Sequence, residues 1–202
     1  MNWQLLTFFL TSSIVLTISP GPDILYVLSV SMQQGKKKAL QLMWGLTSGL
    51  FFHTALVAFG WSQLLVSIPS VRWGIKVLGS GYLVYLAIHS LRKPNQLQTH
   101  AASHNRNYFR QGLLMNLTNP KVTLFFMVFF PGFLFSDRLS YGWQFSILGI
   151  LFWMQAVCIF SLVARLGAEY QNSRFFKVTQ KYHHIIEGIF LFVIATVLLT
   201  EI

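Results

Sequence analysis

Apolar residues fill six long runs, approximately 3–34, 39–66, 73–91, 111–135, 141–164 and 184–202, and short polar stretches separate them. A helix needs about 20 residues to cross a hydrocarbon core, so each run predicts a transmembrane helix. Barrel strands would alternate over roughly ten-residue segments, and no such pattern occurs. The expected fold is therefore all-α: a polytopic membrane protein of about six helices. Two of the runs are interrupted. The first contains Ser19-Pro20-Gly21-Pro22-Asp23 and the fourth contains Asn119-Pro120-Lys121. Proline removes a backbone donor and clashes with the preceding turn, yet it is tolerated in the first turn of a helix. Each interruption thus predicts a new half-helix. Ser19 is the candidate N-cap of one; Asn119 is the candidate cap of the other, with Pro120 at its first position.

The longest polar stretch, 93–109, reads as a linker that divides the chain into halves of approximately 1–92 and 110–202. Each half holds three runs, so the two must insert in opposite orientations within one transporter-like domain, as inverted repeats do. Internal similarity agrees: "SPGPDILYVLSV" has its counterpart in "TNPKVTLFFMVF", and Pro22-Asp23 aligns with Pro120-Lys121. His100 and His104 in the linker have metal-compatible helical spacing, but no acidic or cysteine partner is near them, and a solvated linker is favoured.

Composition sharpens this picture. The 202 residues are 54% hydrophobic and 10% charged, against about a quarter charged in a soluble domain. A net charge of +10 could suggest nucleic acid. However, the basic residues sit in short loops, with no basic face for a phosphate backbone, so no nucleic-acid partner is expected. Eleven of the fifteen Lys and Arg fall between runs one and two, three and four, and five and six. The positive-inside rule puts those loops in the cytoplasm and both termini outside. No Lys or Arg precedes Lys36, so the positive region of a secretory signal is missing and the first helix is expected to be retained. Cys158, the single cysteine, lies in an apolar run and is expected to be a buried, inert thiol.

Asp23 lies 13 residues before Lys36, or roughly 20 Å along a helix, and Lys121 lies 11 residues after Arg110, or roughly 16 Å. Half a hydrocarbon core is about 15 Å, so both breaks fall near mid-membrane. Non-helical backbone is tolerated there only against protein or a water-filled cavity. A charge at that depth costs at least about 2.5–3.5 kcal/mol on insertion scales. Two such costs at matching positions point to a site, although a salt bridge locking the halves together would also explain them. Half-helix N-termini and Lys121 suit an anionic group, and Asp23 suits an ammonium. An amino-acid zwitterion carries both. Asp23 is also the candidate proton carrier that would couple export to the proton gradient.

Weaker candidates line up behind this pair. Gly45, Gly49 and His53 form one helical stripe. The glycines permit close helix packing, and His53 is either a functional group or a neutral ring bonded to a carbonyl across the interface. Asn116 is a candidate cavity-lining residue, with satisfying the broken backbone as the alternative; Gln155 is another, with interhelical bonding as the alternative.

At these residues the chain resembles the LysE family of bacterial exporters, in its RhtB-type branch. The resemblance is carried by "SPGPD", "GLTSGLFFH", "KVLGSGYLVYLAIHSLR" and "QGLLMNLTNPKVTLFFMVFFPGFL", and it covers nearly the whole chain. It implies a bacterial cytoplasmic (inner) membrane protein that exports amino acids or related metabolites, usually in exchange for protons, often as a homo-oligomer. By position it assigns the motif residues Pro20, Gly21, Pro22, Asp23, Asn119, Pro120 and Lys121. The alternatives are export of another small solute or a cation, or a membrane-embedded enzyme. The enzyme reading lacks a constellation: there is no G-x-S-x-G, no H-E-x-x-H and no paired intramembrane aspartates, so no catalytic residue, metal or cofactor is assigned.

Overall fold

The computed structural model describes residues 3–19, 21–61, 69–92 and 107–169, together with residues 185, 188–189, 191–193 and 195–196. Among these residues, seven α-helices follow in order: α1 (Trp3–Ile18), α2 (Pro22–Gln34), α3 (Lys36–Ala55), α4 (Pro69–Arg92), α5 (Tyr108–Leu117), α6 (Pro120–Leu124) and α7 (Tyr141–Glu169). A π-helical stretch, Leu56–Trp61, prolongs α3; a second, Phe125–Phe129, and a 3₁₀ turn, Phe130–Phe133, prolong α6. Among the described residues there is no strand, and the all-α expectation holds. Pro20, linker residues 93–106 and most of the sixth apolar run lie outside the described residues.

Among the described residues, two helices are individually long and apolar enough to cross a membrane, Lys36–Gly60 and Tyr141–Glu169. Two bent pairs qualify when each is taken as one span. Those pairs are the two interrupted runs: α1 meets α2 at 52°, and α5 meets α6 with its extension at 48°. A proline at the first position of each second half sets the bend, because it cannot donate to the helix before it.

Helix α3 sits at the centre. Ala39, Leu42, Met43, Leu46 and Leu50 on it are all buried, and it packs on α2, α5 and α7. In lipid, helices associate by close packing rather than by the hydrophobic effect, so small residues mark the contacts. Gly45 of α3 lies against the backbone of Phe109 and Leu113, and Gly112 of α5 lies against the backbone of Leu42 and Leu46. A side chain at either glycine would meet main chain, which cannot move aside. The GxxxG stripe is therefore a packing seam. Helix α4 builds a second, smaller cluster, with Leu83 and Ala87 against Leu191 and Ala195 of the C-terminal segment, and joins the first through Phe129 and through Gly79 against Val128.

Beyond the second break the phenylalanine-rich stretch forms an aromatic cluster. Phe126 stacks on Phe130 at 4.2 Å between ring centres, and Phe9 of α1 meets Phe130 and Phe133 edge-on at 5.3 and 5.2 Å. This packing explains how the chain leaves regular α geometry here: the ring contacts hold the widened turn in place.

Gln144, in the first turn of α7, is fully buried. Its Oε1 accepts from the backbone N–H of Phe135 (2.8 Å) and Ser136 (3.0 Å), and its Nε2 donates to the carbonyls of Ser136 (2.7 Å) and Leu139 (2.9 Å). One side chain thus satisfies four main-chain groups of the loop before α7. Gln144→Leu is expected to cost about 3 kcal/mol, since buried backbone groups are left unpaired. A lowered thermal midpoint of the purified protein in detergent measures it.

Candidate functional site

The two breaks close differently. At the first, Ser19 N–H still donates to Val15 O (2.9 Å), so Ser19 ends α1 rather than starting α2. Gly21, extended at φ −131° and ψ −179°, occupies the cap position without any side-chain bond. Ser19 is therefore not the N-cap expected from sequence. Pro22 favours the first helical position, which fixes the cap one residue earlier, at Gly21. At the second break the expectation is met. Asn119 Oδ1 accepts from Lys121 N–H (3.0 Å) and Pro120 opens α6.

The breaks also bind each other. Asn119 Nδ2 donates to Asp23 Oδ2 at 2.7 Å. Lys121 Nζ donates to the Ser19 carbonyl at 3.1 Å. The cap of the second break thus holds the acid of the first, and the cation of the second holds a carbonyl that α1 leaves open at its end. Residues 96 and 102 positions apart meet in this way.

A cavity lies at this meeting point. Ser19, Gly21, Asp23, Asn116, Asn119 and Lys121 form its polar wall; Leu16, Ile24, Leu50, Val122 and Phe152 are among its apolar lining. About 400 Å³ of empty space lies here, open mouth included. Asp23 and Lys121 are the charged residues among the described residues of its lining. Lys121 is 9% exposed, so its ammonium is largely removed from solvent. Ser19 Oγ is buried without a protein partner, which leaves a hydroxyl available at the wall.

The remaining predicted residues separate clearly. Asn116 lines the cavity, with its Oδ1 lodged against Gly49 in the space that a Cβ would fill. His53, 3% exposed, does not line it: Nε2 donates to the Asn116 carbonyl at 3.3 Å, and the ring lies 5.5 Å from that of Phe126. Asn119 N–H shares the same carbonyl (3.1 Å), so His53 helps satisfy the C-terminal end of α5. Gln155 does not line the cavity either. Its Nε2 donates to Thr17 Oγ1 at 2.9 Å and braces α7 against α1 behind the wall. Thr17 itself lines the cavity and was missed in the sequence, where it is one hydroxyl among several in the first run. Cys158 is exposed on α7 rather than buried, alongside exposed Met154 and Leu162. In a bilayer that face meets lipid, so an apolar run did not imply burial within the protein. Among the described residues, no three His, Cys, Asp or Glu side chains gather as metal ligands would.

Residues 14–202 match the family model described as LysE type translocator. The homoserine/homoserine lactone efflux protein of Salmonella typhi is 28% identical over 149 residues, covering 70% of each chain. An uncharacterized membrane protein of Vibrio cholerae is 31% identical over 166 residues, covering 79% of this chain and 80% of that one. Another, of Bacillus subtilis, is 30% identical over 189 residues, covering 85% and 89%. No solved structure matches the chain.

Proposed function

The chain belongs to the family of LysE type translocators, and from that membership and the paired breaks we propose that it is a secondary-active exporter of small amino acids and related metabolites. It works in the bacterial cytoplasmic membrane, with both termini outside, and exchanges its cargo for protons. The observation that carries this reading is the cavity itself. It presents one carboxylate and one ammonium, Asp23 and Lys121, contributed by two helix breaks about half the chain apart. A zwitterion is the complement of that wall: its ammonium faces Asp23 and its carboxylate faces Lys121.

The rest of the lining narrows the cargo. Asp23 already accepts a hydrogen bond from Asn119, and a lysine-like side chain would need a second carboxylate to offset its charge. Apolar Leu16, Ile24, Leu50 and Val122 with the hydroxyl of Ser19 suit a short, neutral or hydroxylated side chain. The name of the Salmonella typhi relative, which specifies homoserine, supports the same class. Transport follows by rocking of the two inverted halves about the fixed site, and Asp23 takes up the returning proton once the cargo has left.

Efflux from cells loaded with dipeptides of single amino acids, with and without the protein, tests the reading. Release of homoserine or another small neutral amino acid, dependent on the protein, is expected. No protein-dependent release of any amino acid overturns it.

A further inference from the structure

We propose that Asn119 is the positioning residue of the transport site, a clamp whose single carboxamide fixes the start of α6 with its oxygen and holds Asp23 with its nitrogen. The inference rests on the export reading above. It begins from a choice of side chain that capping alone does not explain. Asn, Asp and Ser cap helices about equally well. A serine at this position would cap α6 without offering an amide donor to Asp23. An aspartate there would cap it while setting a second carboxylate against Asp23. A serine hydroxyl can accept and donate, but from one short-reaching atom; asparagine alone of the three carries the acceptor for the Lys121 N–H and the donor for the carboxylate on two separate atoms.

The geometry uses both ends. Oδ1 takes the Lys121 N–H at 3.0 Å, and Nδ2 reaches Asp23 Oδ2 at 2.7 Å, a length typical of a bond to a charged acceptor. Asn119 is 5% exposed, so water competes weakly for either bond. A carboxamide is planar and its two ends are a fixed distance apart. The carboxylate of the first break and the backbone bearing the cation of the second are therefore referenced to one rigid group. Lys121 Nζ, bonded to the Ser19 carbonyl, braces the arrangement from the other side. The distance between the acid and the cation, which the cargo must match, is set by this clamp.

Purified wild type, Asn119→Ser and Asn119→Asp in proteoliposomes loaded with L-homoserine test the clamp, with KM and Vmax of release and the thermal midpoint measured for each. Asn119→Ser keeps the cap and should keep the midpoint, while its KM rises about tenfold, the worth of one hydrogen bond to a charged group. Asn119→Asp should lose more, because two carboxylates then meet. An unchanged KM in Asn119→Ser overturns the clamp, and so does a loss of rate that only follows a lowered midpoint, the mark of a cap and nothing else. Absence of release from the wild type overturns the export reading, and the clamp with it.

Discussion

Asp23→Asn is expected to lower export about 100-fold, with the protein still folded and inserted. The fall corresponds to about 3 kcal/mol, the upper value for a hydrogen bond to a charged group. Asparagine is nearly isosteric with aspartate, and its Oδ1 can still accept from Asn119 Nδ2, so the link between the breaks survives in neutral form. Two things are lost: the charge facing the cargo ammonium and the group that carries the returning proton. Initial efflux rates from loaded cells, normalised to the amount of membrane-inserted protein, measure the effect. A variant that exports at the wild-type rate would remove Asp23 from the mechanism.

At Lys121, the expectation is a comparable loss of transport, read through KM. Lys121→Met keeps most of the length of the side chain and deletes its charge. Removing one charge and leaving its buried counter-charge behind is destabilising, by up to about 5 kcal/mol. The thermal midpoint should therefore fall, because Asp23 keeps its charge in the same cavity and the Ser19 carbonyl loses the Nζ donor. Export by the protein that remains folded should fall about 30-fold or more, mainly through KM, because the cargo carboxylate loses its charged partner. KM separates a binding charge from a structural one. A purely structural Lys121 would lower Vmax with the amount of folded protein and leave KM unchanged.

These two residues stood out in the sequence because a membrane makes charge and proline expensive. An acid and a base at mid-run, each beside a proline, have few bland explanations, and the structure brings them to one cavity. The Asn119 cap was legible for a similar local reason: Asn followed by Pro and a helical run is a start signal. Ser19 misled because two prolines competed to set the helix start, and Pro22 won. The bond from Asn119 to Asp23 spans 96 positions and has no local signature. Gln144 was equally silent, since its four partners are backbone groups and backbone looks alike at every residue. His53 and Gln155 illustrate the limit of a polar residue in an apolar run. Each had to find a partner, and whether that partner is cargo or a neighbouring helix depends on which way the helix is turned. Both turned to a neighbour. Cys158 shows the inverse case: apolar surroundings in sequence became lipid, not protein.

The central claim is that the acid of one break and the cation of the other form a proton-coupled site for an amino-acid zwitterion. Release of L-homoserine from proteoliposomes under an imposed pH gradient, acid outside, tests it most directly, with the wild type compared with Asp23→Asn. The account predicts that the gradient accelerates release by the wild type and leaves release by Asp23→Asn unchanged. Equal acceleration in both would contradict it.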